Sequence, residues 1–478
     1  MIAVIDYDMG NLGSIVNMFH RIGVAAVATR DPAVIASAER LVLPGVGAFD
    51  EGMDNLDRLK LTAVLADRVL RARVPILGIC LGMQLMTGKS DEGRNPGLSW
   101  IDADTAHFRS GIAGTERLTL PHIGWNHISA VRSHPLLGGL QEGGRFYFVH
   151  SYKVVCRRAE DVLAESSYGA HAFTSAYARG NIAGVQFHPE KSHRFGAQLL
   201  ENFSRWSGDQ QGSVIRSRGV GTPPKPSRPR IIPVLLLKEN LLHKTVRFQN
   251  PTYVGDPRIA VKIFNDKGAD EIVLLDITAT CERRKPNFKL IGEIAGECFM
   301  PMAYGGGVRD IEDVRAILKL GVEKVVLNTA AVENPGFVSE AARINGSSSV
   351  VVSIDARRDL FGRYRVYTHS GTRKAGLDPV ALARRVAEAG AGEIIINSID
   401  RDGTQKGYDL SLTRSVAEAV DIPVVACGGA GSVGDFRRVV REARAAAAAA
   451  GSFFVFQGPH RAVLITYPTE ELEVLVGS

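Results

Sequence analysis

Short apolar runs with strand character alternate with stretches of helical spacing through the second half of the chain. The runs are Ile231–Leu237, Glu271–Leu275, Met302–Tyr304, Lys324–Leu327, Val350–Ile354, Glu393–Asn397, Pro423–Ala426 and Ala447–Val455. Eight strand–helix units in about 250 residues predict an α/β fold of the (β/α)8 type, the TIM barrel. The last run is too long for a barrel strand, and the alanine-rich sequence 443–450 leaves the start of strand eight undetermined.

The predicted barrel contains a two-fold internal repeat. Gly268–Ile272 returns as Gly390–Ile394, and Pro301–Gly307 returns as Pro423–Gly429. A doubled half-barrel predicts two equivalent phosphate sites, because glycine-rich turns present backbone N–H groups to an anion. Any barrel needs glycines for its tight loops, so a glycine-rich turn alone is weak evidence. The prediction rests on the presence of two such turns at equivalent positions of the repeat. The candidate ligand-binding residues are Gly306, Asn328 and Thr329 in one half, and Gly428, Gly429, Gly451 and Ser452 in the other.

The first half of the chain contains a candidate nucleophile. An apolar run, Val74–Leu77, leads into Cys80, which has a glycine two positions away on either side. Small neighbours allow a sharp strand-to-helix turn that places the thiol at a helix N-terminus, where it gains thiolate character. His188 and Glu190 stand two residues apart, a spacing that places both side chains on one face of a strand. Together the three residues predict an acyl-transfer triad; the alternative is a buried structural cysteine and a surface His–Glu pair.

Composition and charge favour a large soluble enzyme. The 478 residues suffice for two or three domains, and five scattered cysteines without a CxxC pair indicate neither a zinc site nor a disulfide framework. We therefore expect a cytoplasmic protein without metal, cofactor, signal peptide or membrane segment.

A modest net charge of +6 is partly concentrated in the sequence 207–229, which is rich in Pro, Gly and Ser and has no aromatic residue. This composition is typical of a solvated linker rather than of a nucleic-acid-binding segment. The sequence therefore predicts one domain over residues 1–206, a linker over 207–229 and a barrel over 230–478.

The segments around Cys80 and His188 resemble the class I glutamine amidotransferases, whose fold is a flavodoxin-like open sheet. Over residues 1–206 the resemblance narrows to the glutaminase subunit of imidazole glycerol phosphate synthase, through the segments Asp6–Asn11, Pro44–Gly47, Pro121–Asn126 and Tyr147–Tyr152. It implies that Cys80 attacks the glutamine carboxamide, that His188 protonates the leaving ammonia and that Glu190 holds the imidazole.

The same resemblance implies two further groups of glutaminase residues. Backbone N–H groups near Gly45, Gly47 and Leu81 would bind the oxyanion. Gln84, on the helix after the cysteine, would help hold the glutamine substrate.

Residues from about 230 to 478 resemble the cyclase subunit of the same enzyme, through Leu275–Ala279, Tyr304–Val308, Asn328–Glu333, Ser398–Thr404 and Cys427–Gly431. The two subunits are usually separate chains but can be fused in this order. The resemblance implies that ammonia passes through the barrel interior to the C-terminal face, where a phosphorylated ribonucleotide or another phosphate-bearing ligand binds.

The cyclase resemblance also assigns residues to this route. Lys238, Lys244 and Gly403 match ligand-binding positions. A ring of charged residues would close the base of the barrel as an ammonia gate, unless it serves only as structural ion pairs: Arg230, Glu271, Lys324 and Glu393.

One position departs from the cyclase pattern. The chemistry needs two carboxylates, at the ends of strands one and five, as general acid and base. Asp355 provides the second, but Leu236 stands at the first, and the internal repeat gives the same pairing. A leucine cannot transfer a proton, and neither Lys238 nor Lys244 replaces an acid. Asn397, where the family has a small hydroxyl residue, is a milder departure.

Other segments resemble a paralogous branch of cyclase-like proteins found with surface-polysaccharide biosynthesis: Tyr253–Pro257, Ile263–Lys267, Cys298–Pro301 and Phe454–Arg461. The branch is thought to supply ammonia to a separate sugar amidotransferase that converts an N-acetyl sugar to an acetamidino sugar. Two enzyme hypotheses follow: an ammonia donor to such a partner, and a bifunctional synthase of histidine biosynthesis. A third, a catalytically inactive regulatory scaffold, conflicts with the complete triad.

Overall fold

The computed structural model describes residues 1–110, 118–140, 144–208, 213–215, 228–458 and 460–476, with side chains in the last helix up to residue 472. The chain divides into two compact units, one holding Met1–Leu118 and His122–Ser227 and the other Thr119–Pro121 and Arg228–Ser478. Most of the predicted linker lies outside the described residues. Within the described part, no helix is both long and apolar enough to cross a bilayer.

The first unit is built on an open sheet. Its elements are β1 (Ile2–Ile5), α1 (Leu12–Arg21), β2 (Ala26–Thr29), α2 (Pro32–Ser37), β3 (Arg40–Leu43), α3 (Phe49–Arg58), α4 (Leu61–Ala66), β4 (Ile76–Ile79), α5 (Leu81–Leu85), β5 (Ala103–His107), β6 (His122–His127), β7 (Ser129–Ala130), β8 (Arg145–His150), β9 (Tyr152–Cys156), β10 (Val162–Tyr168), β11 (His171–Arg179), β12 (Ile182–Val185) and α6 (His193–Arg205).

The strand order of this sheet places the triad segments side by side. The order is β2-β1-β3-β4-β12-β11-β10-β7, and the strands from β2 to β12 run parallel. Because β4 and β12 are neighbours, the chain leaving β4 at Cys80 and the chain leaving β12 before His188 emerge at the same sheet edge. Ligands of open α/β sheets bind at such carboxyl edges. The predicted open-sheet fold of this unit is confirmed.

The second unit is a closed barrel. Its elements are β13 (Arg230–Lys238), β14 (Leu241–Val246), β15 (Gln249–Gly255), α7 (Pro257–Asp266), β16 (Ile272–Asp276), α8 (Phe288–Gly296), β17 (Met302–Gly305), α9 (Ile311–Lys319), β18 (Lys324–Leu327), α10 (Thr329–Glu333), α11 (Pro335–Asn345), β19 (Val350–Arg358), β20 (Tyr364–Thr368), β21 (Arg373–Lys374), α12 (Pro379–Glu388), β22 (Glu393–Ser398), α13 (Leu410–Ala417), β23 (Val424–Cys427), α14 (Val433–Ala443), β24 (Ala447–Ala450), α15 (Ser452–Val455), β25 (Phe456–Gln457), β26 (Ala462–Val463) and α16 (Thr469–Val476).

Eight parallel strands form the barrel wall, namely β13, β16, β17, β18, β19, β22, β23 and β24, and the predicted TIM barrel is confirmed. The sheet closes because β24 pairs with β13, Ala447 opposite Arg230. Side chains alternate along each strand. Ile232 and Val234 therefore pack in the barrel interior, whereas Ile231 and Leu235 pack against the outer helices.

Strand eight is shorter than the predicted Ala447–Val455. β24 ends at Ala450, and Ser452–Val455 forms the short helix α15. The ring of Phe454 stacks on Phe436 of α14 and on Tyr467. A short apolar run has the same composition in a strand and in a buried helix, so the tertiary packing of Phe454 was needed to separate them.

Candidate active sites

Cys80 occupies a strained turn between β4 and α5. Its backbone has φ 52° and ψ −107°, a region that a non-glycine residue enters only at a cost held by the surrounding structure. Gly78 and Gly82, two positions away on either side, permit close packing as well as the sharp turn. A Cβ at Gly82 would lie 1.8 Å from the Leu43 carbonyl oxygen, and one at Gly78 would lie 2.4 Å from the Met86 Cε. The elbow thus depends on glycine at both positions.

His188 and Glu190 form a buried pair beside this turn. The His188 Nδ1 lies 2.8 Å from the Glu190 Oε1, and each residue is 1% exposed. The predicted strand placement of the pair is wrong, because β12 ends at Val185 and residues Pro189–Lys191 form a 3-10 turn. The His188 backbone N–H donates to the Tyr147 carbonyl, at 2.9 Å, which fixes the ring position without a continuous strand.

The electrostatics of the pair favour an imidazolium. Burial alone would lower the pKa of His188, but the negative charges of Cys80 and Glu190 outweigh it and raise the pKa well above its usual value. A protonated imidazole beside a thiolate is the resting state of a cysteine nucleophile paired with histidine. The arrangement supports attack by sulfur and proton delivery to a leaving amine.

Two of the candidate oxyanion donors, Gly45 and Leu81, lie beside Cys80. The Leu81 N–H donates to the Gly45 carbonyl at 3.3 Å, and Gly47 has φ 125°. A Cβ at Gly45 would lie 2.6 Å from both the Leu81 Cβ and the Tyr7 hydroxyl, so only glycine permits this approach. Since the Leu81 N–H is engaged with Gly45, this contact has to open before that N–H binds an oxyanion.

Gln84 lies in the buried part of the same site. Its Nε2 donates to the Gln186 Oε1 at 3.1 Å and to the Tyr152 carbonyl at 3.4 Å. Gln186 in turn donates to the Cys80 Sγ at 3.7 Å. Our sequence analysis did not single out Gln186; its position two residues before His188 was the only available signal.

The C-terminal face of the barrel contains a cavity of about 590 Å3. Lys238 is not among its lining residues; it is about one-third exposed, and its Nζ lies 3.9 Å from the Glu239 carboxylate. The other predicted residues of this face line the cavity together with Leu236: Lys244, Gly306, Asn328, Thr329, Asp355, Gly403, Gly428, Gly429, Gly451 and Ser452.

The carboxyl of Asp355 has a raised pKa in this cavity. Burial raises its pKa to about 7, although hydrogen bonds from Ser353 and Asn397 oppose the shift. The Asn328 Nδ2 donates to the Asp355 Oδ2 at 3.2 Å. A carboxyl with this pKa can both give and take a proton near neutral pH.

Lys244 is a second perturbed group in the cavity. Burial lowers its pKa to about 8, an effect that Asp402 and Cys427 partly oppose, and the ammonium donates to the Val234 carbonyl. Asp402 lies in the segment Ser398–Thr404, which resembles the cyclase, but the sequence analysis did not predict it as a site residue. The Thr245 hydroxyl donates to its carboxylate at 3.1 Å.

The strand pairing makes Leu236 and Asp355 equivalent. Leu236 pairs with Leu275 across β13 and β16, and Asp355 pairs with Asn397 across β19 and β22. Leu275 and Asn397 hold the same position in the repeat, since each lies four residues after its Glu271 or Glu393. The two halves therefore place a leucine and an aspartate at symmetric points of one cavity.

The glycine turns show the same symmetry. Gly306 and Gly307 have φ 115° and 75°, and Gly428 and Gly429 have φ 87° and 116°. A Cβ at Gly306 would lie 2.3 Å from the Asp276 carbonyl, and one at Gly429 would lie 2.3 Å from the Gly407 carbonyl. Both turns thus need glycine for conformation and for close approach.

Four charged residues form a closed ring of ion pairs at the amino ends of the barrel strands. Arg230 contacts both Glu271 and Glu393, and Lys324 contacts the same two carboxylates, at 2.5 and 2.9 Å. All four are at most 2% exposed. Burial would raise the pKa of Glu393, but Arg230 and Lys324 outweigh it and lower the pKa to about 2.

Comparison with known proteins matches both units to families. Residues 3–205 match class I glutamine amidotransferases, and residues 230–459 match the histidine biosynthesis protein family. The barrel is 51% identical over 241 residues to a Pseudomonas aeruginosa protein named "Putative imidazole glycerol phosphate synthase subunit hisF2", covering 50% of this chain and 96% of that protein. The chain belongs to the imidazole glycerol phosphate synthase family.

The first unit matches the other subunit of this synthase family. It is 49% identical over 203 residues to imidazole glycerol phosphate synthase subunit HisH 2 of Methanococcus maripaludis, covering 42% of this chain and 98% of that protein. The HisH 2 subunit of Pseudomonas aeruginosa is 48% identical over 203 residues, with the same coverage. The chain is therefore a glutamine amidotransferase that carries a HisF-type barrel in the same polypeptide.

Proposed function

We propose that the chain hydrolyses glutamine at Cys80 and delivers the ammonia through its barrel to a partner sugar amidotransferase, which makes an acetamidino sugar. In this proposal Cys80 is the nucleophile, His188 the acid–base group and Glu190 its orienting carboxylate. The proposal locates the reaction in the cytoplasm, which fits the five free cysteines among the described residues.

The observation that carries the partner hypothesis is Leu236. It lines the same cavity as Asp355 and holds the symmetric position of the repeat, where ring closure would need a second carboxylate. Removing a general acid or base typically lowers a rate by about 10²- to 10⁴-fold. The barrel thus keeps a ligand cavity while lacking one of two proton-transfer groups.

The alternative function is imidazole glycerol phosphate formation in histidine biosynthesis. The retained Asp355, with a pKa of about 7, and the two symmetric glycine turns favour it. Under this alternative, Asp402 would have to supply the missing proton transfer, since its carboxyl lines the same cavity.

The deciding experiment is rescue of a histidine-requiring strain that lacks its own synthase. Under the partner proposal, the unaltered chain fails to rescue and shows at most a hundredth of a normal cyclase rate with ample ammonium, by the magnitude that a missing acid or base implies. Leu236→Asp should then raise any residual cyclase activity.

A second experiment tests the partner directly. Purified chain is mixed with glutamine and the sugar amidotransferase of the same organism, and the amidino product and glutamate are measured together. Product formation that depends on this chain supports the proposal. Robust rescue of histidine growth by the unaltered chain would instead establish the alternative.

A further inference from the structure

The side chain of Gln186 directly contacts the candidate nucleophile. Its Nε2 donates to the Cys80 Sγ at 3.7 Å, a normal distance for a hydrogen bond to sulfur, and the residue is fully buried. An N–H aimed at sulfur favours the charged form of a thiol, because a hydrogen bond to an anion stabilises it. The triad does not use this contact.

The direction of the Gln186 amide follows from its neighbours. A carbonyl oxygen only accepts, so the Tyr152 carbonyl fixes the nitrogen of Gln84 toward itself, at 3.4 Å. The same nitrogen lies 3.1 Å from the Gln186 Oε1. The oxygen of Gln186 therefore faces Gln84, and its nitrogen faces the sulfur.

The Tyr152 carbonyl is held by the buried His150, which the buried His122 contacts in turn. The His150 Nδ1 lies 2.7 Å from it and has to donate. Burial lowers the pKa of His150 to about 4, so the ring is neutral and its Nε2 accepts. The His122 Nδ1 lies 3.2 Å from that Nε2, and the His122 ring is stacked between Phe148 and Tyr168.

We propose that Gln186 is a further catalytic residue that stabilises the Cys80 thiolate through its side-chain N–H. Gln84 orients this amide, and His150 and His122 are positioning residues that hold the Tyr152 carbonyl to which Gln84 is anchored. The inference rests on the proposed role of Cys80 and adds a donor and a defined chain of hydrogen bonds to it.

Two other titratable groups act on the same sulfur. His188 stabilises the thiolate by its positive charge. Tyr7 lies two residues after the end of β1. Burial and, to a smaller extent, the charge of Cys80 raise the pKa of Tyr7 above the normal range, so its hydroxyl stays neutral. The effect of Gln186 has to be measured with both groups intact.

The first experiment measures the pH dependence of Cys80 alkylation by iodoacetamide in the full chain, with labelling of the Cys80 peptide followed by mass spectrometry. Gln186→Met has nearly the same side-chain length and removes the donor without adding charge. The midpoint should rise by about one to two pH units, as expected for loss of one hydrogen bond to a charged group. Gln198→Met, the same change on α6, is the matched control and should leave the midpoint unchanged.

The second experiment separates positioning from folding. His150→Phe keeps a ring among its aromatic neighbours but removes the donor to Tyr152, and should lower kcat for glutamine hydrolysis about tenfold and raise the alkylation midpoint. His150→Asn can place an amide N–H near the position of Nδ1 and should restore most of both. Equal losses in the two variants would show a purely structural role.

An unchanged alkylation midpoint in Gln186→Met, with the Cys80 peptide labelled as in the unaltered chain, would overturn the inference while leaving the triad in place. Retained glutaminase activity in Cys80→Ala would instead show that Cys80 is not the nucleophile and would overturn the proposed function as well. The two failures therefore have different signatures. If Gln186→Met does not fold, Gln186→Leu also removes the donor without adding charge and is held to the same criterion.

Discussion

At the residue scale, the glutaminase site depends on a few groups whose properties come from burial. Cys80 is strained and 7% exposed, and His188 and Glu190 are almost fully buried. In such surroundings a charge is stable only beside an opposite charge or a hydrogen-bond donor. The catalytic competence of each group is therefore a property of its immediate neighbours.

The triad gives the first prediction. Cys80→Ala should lower glutamine hydrolysis at least about a thousandfold, His188→Ala comparably and Glu190→Gln less, because members of a catalytic unit act together. Glutamate release from purified chain measures this. Cys156→Ala, the same change at another buried cysteine of the first unit, should retain activity.

Asp355 gives a prediction on stability. Its pKa rises from 3.8 to about 7 on folding, so the folded state binds more protons between these values and stability falls as pH rises from about 4 to 7. Asp355→Asn removes the cost of a buried charge and should stabilise the barrel at pH 8, by at most about 4 kcal/mol, with little effect at pH 5. Thermal melts at the two pH values measure this, and Asp266→Asn on the surface should show no such difference.

At the element scale, the amino ends of the barrel strands converge on one charged ring. Each of Arg230 and Lys324 contacts both Glu271 and Glu393, so removal of any member leaves an uncompensated buried charge. The same arrangement would serve a gate for ammonia and a purely structural network, and only measurement of transfer separates these roles.

The ring gives a prediction on coupling. Glu393→Gln or Lys324→Met should leave glutamine hydrolysis in place while product made from glutamine falls, and added ammonium salt should restore the product. A loss of stability of about 3–5 kcal/mol is also expected. The glutamate-to-product ratio is the measurement, with Glu388→Gln at the exposed end of α12 as control. Unchanged ratios in both ring variants would leave the ring with a structural role only.

At the scale of the whole molecule, one chain combines two units that match separate subunits among its relatives. The HisH-type unit and the HisF-type barrel each match nearly the full length of their relatives. A single polypeptide fixes their ratio and raises the effective concentration of each for the other.

The fusion gives a prediction on transfer within one chain. We expect Cys80→Ala chains to lack glutaminase activity and Glu393→Gln chains to lack coupling. A mixture of the two should then form no more product from glutamine than the two variants measured separately. Ammonia that diffuses freely between molecules would restore product formation in the mixture. The rate of each variant with added ammonium serves as its control. Product formed by the mixture at the rate of the unaltered chain would contradict transfer within the chain.

The sequence by itself determined both folds and most of the candidate residues. Short apolar runs, a repeat of four strands and a glycine-flanked cysteine are sequence signals, and the structure contains the feature that each predicts because strand alternation and turn geometry depend on neighbouring residues. Leu236 could be paired with Asp355 from the repeat alone, and the strand register gives the same pairing.

Only the tertiary structure decided the features that depend on distant parts of the chain. An apolar run does not specify strand or helix, so the end of β24 and the helix after it followed from the packing of Phe454. His188 is placed outside a strand by its hydrogen bond to Tyr147, and the contact of Gln186 with Cys80 joins segments 106 residues apart. Such contacts arise from the adjacency of β4 and β12, which sheet pairing creates and no local pattern encodes.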